Sequence, residues 1–140
     1  MPPPTAVLDT NAALDWLVFA DPGMQPLAAA VQRGEVRWLA CSGMREELGH
    51  MLGHASLQHW QPDAAAALAV FDRWAWLCPS PPAAVHLRCS DADDQVFVDL
   101  ALAQKAHWLV THDRALLKLG RRLRLQGVQV LKPAQWLGVA

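Results

Sequence analysis

No stretch of this sequence approaches the roughly 18 consecutive apolar residues that a membrane-crossing helix needs. The start, MPPPTAVLDTN, lacks a basic segment followed by a long apolar run. Neither export nor anchoring is expected, and a cytoplasmic location is. Cysteine is scarce. Cys41, Cys78 and Cys89 are odd in number and widely spaced, which fits neither a disulfide framework nor a zinc site of the CxxC kind. Charge of either sign is not in excess: the formal net charge is -1, so the chain brings no general attraction for nucleic acid. A nucleic-acid role would therefore rest on a local basic surface or on metal ions. No internal repeat of fixed period occurs.

What is there is a chain of 140 residues, 53% hydrophobic and 18% charged. That length suits one domain with a core that needs no disulfide or structural metal, and the apolar content argues against disorder. A single domain over residues 1–140 is expected. Its pattern repeats. TAVLD is a short apolar segment that stops at an acid, and NAALDWLVFA follows with apolar residues at helical spacing. RWLACSGMREELGHML runs from a short apolar segment through Ser42, an expected N-cap, into a helix carrying Glu46 and Glu47. HWLVTHDRALLKLGRRL does the same, with Asp113 opening a helix after Trp108–Val110, and GVQVLKP predicts a last strand stopped by Pro133.

Between these lie PGMQPLAAAVQRG, a helix closed by Gly34, and PDAAAALAVFDRWAWL, which predicts one longer alanine-rich helix with Pro62 in its first turn. CPSPPAA reads as a rigid connector within the domain. Short strands alternating with helices predict an α/β sandwich around a mostly parallel sheet. In such a sheet the carboxyl ends of the strands share one edge, where ligands bind.

That geometry matters because of the acids. Asp9, Asp113 and the Glu46/Glu47 pair each follow a predicted strand, and Asp91, Asp93 and Asp94 form a turn that starts another helix. Asp9 or Asp113 taken alone reads first as a helix cap. Four acidic segments converging on one edge read differently. Without counterions they would raise one another's pKa, whereas hard oxygen ligands are what Mg²⁺ or Mn²⁺ take.

The stretches VLDTN, SGMREEL, DADDQVFVDLALAQKAHWLVTHDRALL and GVQVLKPAQWL together resemble a PIN domain. The resemblance spans essentially the whole chain. It is closest to the PIN proteins of bacterial toxin-antitoxin pairs, the VapC-like branch. It implies a three-layer α/β/α sandwich and a Mg²⁺- or Mn²⁺-dependent ribonuclease acting on RNA. The resemblance also implies a small antitoxin partner and a homodimer. Carried across, the family acids fall on Asp9, Glu47, Asp94 and Asp113, as metal-holding and catalytic residues. Glu47 is preferred to Glu46 because it directly precedes the apolar Leu48, while its neighbour points about 100° away. Asn11 and Thr111 match small polar positions that support the first and last acids by hydrogen bonds. His112 departs from the pattern, reaching a phosphate or facing solvent. Asp91 and Asp93 read as a solvated turn or as holders of outer-shell water, and Asp99 as part of the polar face of its helix.

Other readings compete. A haloacid dehalogenase-like phosphatase would place a second Asp where Asn11 stands, and lacks a suitably placed lysine here. A PIN-like scaffold without turnover is opposed by the complete acid set. His50 and His54 in HMLGH lack the glutamate of the metalloprotease pattern, since Met51 occupies its place. Cys41, directly after an apolar segment, reads as a small buried hydrophobe. The run RRLRL, with Lys118 or Arg114, either flanks the cleft or ends a solvated helix. The seven tryptophans are expected to pack in the core, with a dimer contact or base stacking as alternatives.

Overall fold

The structure, a computed structural model, describes residues 2–139. Strands β1 (Thr5–Leu8), β2 (Arg37–Ala40), β3 (Ala75–Leu77), β4 (Trp108–Val110) and β5 (Gln129–Leu131) form one sheet in the order β3-β2-β1-β4-β5. Every adjacent pair is parallel. The connections carry α1 (Thr10–Leu17), α2 (Gln25–Gln32), α3 (Ser42–Leu52), α4 (Ala64–Trp74), α5 (Gln95–Ala103), α6 (Arg114–Leu117) and α7 (Gly120–Arg124).

From β1 the chain steps outward to β2 and β3, returns across the sheet to β4, and then steps outward the other way to β5. Right-handed crossovers accordingly put α1 to α4 on one face and α5 to α7 on the other, which makes three layers. Trp38 of β2 reports the first face. Buried, it lies 5.3 Å from the Trp16 ring of α1 and edge-on to Phe71 of α4 at 5.0 Å. The direction of travel reverses between β1 and β4, so connections leave these neighbouring strands toward opposite faces and open a crevice at their carboxyl ends.

Local chemistry sets where the elements stop and start. Asp9 ends β1 with its amide on Val110 O, and its side chain caps α1. Gly34, at φ 76°, turns the chain out of α2, a conformation that side chains with a Cβ resist. Asp63 caps α4 by accepting from Ala66 N at 3.0 Å, which leaves Pro62 just outside the first turn that the sequence assigned it. Ser42 is likewise displaced from its expected role: the cap position is Cys41, in extended conformation and without a side-chain cap bond, and Ser42 is the first helical residue.

Two elements differ from expectation more substantially. The alanine-rich helix ends at Trp74, and Ala75–Leu77 become an edge strand, in register with Trp38–Ala40 of β2. Cys78 N continues that pairing onto Ala40 O at 2.7 Å. Nothing local breaks the helix, because the residues across the junction are all apolar or helix-compatible. The open edge of β2 does. Further on, the helix opened by Asp113 is two short ones, α6 and α7, parted near Gly120, where helix propensity is low.

The connector after β3 packs against α5. Gln95, buried in α5, donates to Leu87 O at 2.9 Å and accepts from Cys89 N. Asp99, one turn on, accepts from Ala84 N at 2.9 Å and from Gln95 Nε2 at 2.8 Å. Asp99 is therefore buried beneath the connector, not on a polar helix face. Cys41 is buried, as its position after a strand suggested. The tryptophans divide: Trp38 and Trp136 are buried, whereas Trp60 and Trp76 are exposed.

Candidate metal centre

The crevice at the carboxyl ends of β1 and β4 is a cavity of about 340 Å³, lined by Asp9, Asn11, Glu47, Asp93, Asp94 and Asp113 together with Met44, Met51, Val96 and Phe97. The four acids that sequence position brought to one sheet edge thus face one space. Glu47 lines it and Glu46 does not. Asp9 comes directly after β1, Glu47 from the second turn of α3, Asp94 from the residue before α5, and Asp113 from the cap of α6.

Asp9 is held rigidly. Only 3% exposed, it accepts from Ala12 N at 2.8 Å through Oδ1 and from the Thr111 hydroxyl through Oδ2. Burial pushes its carboxyl up from the usual range, the bonds from Thr111 and Ala12 pull it back, and the Asp113 charge adds to the rise. Thr111 is fully buried, and its oxygen also accepts from Asp113 N at 2.8 Å. One hydroxyl therefore ties the ends of β1 and β4 together. Asp113 in turn accepts from the amides of Ala115 and Leu116 at 2.7 and 3.3 Å.

Asn11 is exposed, lines the same cavity, and makes no side-chain hydrogen bond among the described residues. The support expected of it toward Asp9 comes instead from Thr111 and the Ala12 amide.

Asp94 has the least comfortable surroundings. Its Oδ2 is buried and has no hydrogen-bond partner. Burial, then the charges of Asp113, Asp91 and Asp9, push its carboxyl up to about 7. Asp91, Asp94 and Asp113 each offer an oxygen, all within 4.8 Å of one another. Asp91 therefore stands closer to Asp94 and Asp113 than a free solvated turn would imply, while its side chain accepts from Asp93 N at 3.0 Å and so shapes the turn. The sequence signal was present in the Asp-x-Asp-Asp spacing, but nothing there said which of its acids faces Asp113.

Lysine and arginine are missing from the cavity lining, and none of the ion pairs among the described residues uses these acids. Arg45 pairs with Asp72 and Arg33 with Glu35. Of the arginine run, Arg122 bonds His86 O, beside the segments that enter β4 and β5, and none of Arg114, Lys118, Arg121 or Arg124 lines the cavity. His112 is exposed, and it is also tied down. Its Nε2 meets Asp15 Oδ2 at 2.6 Å, tying the loop of Thr111 and Asp113 to α1. Burial raises the Asp15 carboxyl, against the bond from His112.

The donor set is made of oxygens from carboxylates, one of them buried and unpartnered, with no cation supplied by the protein. That set fits a hard divalent ion and suits zinc or copper poorly.

A family model for the PIN domain matches residues 5–115, and the chain belongs to that family. PIN domains are in general nucleases that use divalent metal ions. The matched span takes in all four acids and stops before α7 and β5, so GVQVLKPAQWL falls outside it. No curated protein matches the chain.

Proposed function

We propose that this chain, as a single PIN-like domain over residues 1–140, is a Mg²⁺- or Mn²⁺-dependent endoribonuclease. The observation that carries the reading is the buried, unpartnered Asp94 Oδ2 beside Asp91 and Asp113, in a cavity without a basic side chain. Asp9, Asp94 and Asp113 would hold one or two ions, with Glu47 completing the site or orienting water. An ion bound there supplies neutralisation of the scissile phosphate and a lowered pKa for water, and no side-chain nucleophile is required. Thr111 keeps the Asp9 carboxylate in one orientation, and Asn11, exposed at the cavity, is available to the substrate. The apolar wall of Met51, Val96 and Phe97 limits water around the carboxylates. Hydrolysis leaves a 5′-phosphate and a 3′-hydroxyl.

The toxin role belongs to the same proposal: a cytoplasmic homodimer, neutralised by a small antitoxin. The resemblance to the VapC-like branch supports it. Purified protein is incubated with structured and unstructured RNA, with and without Mn²⁺, beside Asp9→Asn and Asp94→Asn. Metal-dependent cleavage that both variants lose is the expected result. Metal binding without cleavage of any RNA would favour a scaffold instead, a reading to which the lack of basic residues in the cavity gives some support. Growth arrest on expression, absent with Asp94→Asn, tests the toxin role separately.

A further inference from the structure

A second depression of about 640 Å³ lies at the other end of the sheet. Leu102 and Lys105 at the end of α5, Leu125 to Gly127 before β5, and residues 84–87 of the connector enclose it. Its charged groups are of one sign, Lys105 and Arg122, and no acid lines it. Neither cation has a carboxylate partner among the described residues. Arg122 bonds the His86 carbonyl, which fixes the guanidinium at the groove while using one of its five donors.

The walls are aliphatic. Val85 and Leu125 are 77% and 81% exposed, among the most exposed large apolar side chains described, and both line this groove, one from the connector and one from the segment before β5. Exposing both costs solvation free energy that a partner would recover. The connector wall is also built in advance, because Ala84, Leu87 and Cys89 are pinned to Gln95 and Asp99 through their backbones. A preformed groove spares a partner the ordering cost.

We propose that this groove docks an acidic, amphipathic peptide segment of a partner protein. Charge complementarity selects the acid: a groove with two unpaired cations on a chain of net charge -1 attracts carboxylates locally. The aliphatic walls select the peptide. Nucleic acid would use Lys105 and Arg122 through its phosphates, but the groove offers its bases a single ring, that of His86, among walls that are otherwise aliphatic, with no Trp or Phe. Leucine or isoleucine side chains at helical spacing fit Val85, Leu87, Leu102 and Leu125.

The probe is a fluorescein-labelled peptide of about twelve residues, with leucine at i, i+3, i+4 and i+7 and glutamate between. Anisotropy should show saturable binding, and a twin with serine for glutamate should bind at least about tenfold more weakly. Lys105→Glu and Leu125→Ser, both at exposed positions, should each weaken the acidic peptide to a similar extent without lowering Tm, while Asp94→Asn leaves it bound. No binding up to about 1 mM, equal binding of the serine twin, indifference to Lys105→Glu, or displacement by an RNA oligonucleotide would each overturn the proposal. Cleavage of RNA by Lys105→Glu is measured in parallel, so loss of docking and failure of the nuclease reading stay distinguishable.

Discussion

At the carboxyl ends of the strands a cavity of about 340 Å³ is lined by carboxylates and no lysine or arginine. At the amino ends a groove of about 640 Å³ holds Lys105 and Arg122 and no acid. Helix α5 joins the two, with Asp94 before its first residue and Lys105 just beyond its last. Both ends follow the helix dipole, which favours negative charge at the start and positive charge at the finish. At the groove the dipole suffices. At the cavity it does not, because burial and three neighbouring carboxylates still push Asp94 up to about 7. A near-neutral chain can therefore be strongly polarised, and the end whose charge exceeds what the fold can neutralise is the end that calls for an ion.

Substituting the cavity acids should break this contrast most severely. Asp94→Asn removes a charge the fold does not compensate, so RNA cleavage with Mn²⁺ should fall on the order of 10³-fold while the metal-free Tm rises. A Tm that drops with activity would mean that Asp94 serves structure. Next comes Thr111→Val, which strips Asp9 and Asp113 of their shared hydroxyl. Mn²⁺ affinity should weaken about 10–100-fold by isothermal titration, with cleavage falling in step.

The pH dependence follows from Asp94. Its folded pKa is raised, so between about 4 and 7 the folded state holds a proton that the unfolded state releases. The contribution of Asp94 to the stability of the metal-free protein is full below the unfolded value and is lost as pH rises through about 7. Divalent ions should therefore raise Tm more at pH 8 than at pH 5 in differential scanning calorimetry, because at low pH protons compete for the same oxygens. The smallest effect is expected from Asp99→Ala. Losing its bonds to Ala84 and Gln95 should cost about 1–3 kcal/mol in urea unfolding and loosen the groove wall, with Mn²⁺ binding unchanged.

Much of the sheet was legible because β1, β2, β4 and β5 are short apolar runs that stop at a capping residue or a proline. The cavity's acids were placed together by the same logic, since each follows a strand or opens the helix of a crossover. β3 was hidden: across Trp74 and Ala75 the sequence stays apolar, and the strand exists only because β2 has an edge to fill. Asp99 and His112 were hidden differently. Their partners, Ala84 and Asp15, are 15 and 97 residues away, and no local pattern announces a hydrogen bond at that range. The spacing of Asp91, Asp93 and Asp94 did not reveal which of them faces Asp113, because a 3-10 turn over Ala92–Asp94, not an α-helix, directs them.

The two outermost strands end alike. β3 stops at Leu77 with Pro79 two positions on, and β5 stops at Leu131 with Pro133 at the same interval. Each is three residues long, and proline offers no amide to a further strand. Edges this short, each cut off by a nearby proline, offer a further strand little to pair with, which guards against fibre-like stacking.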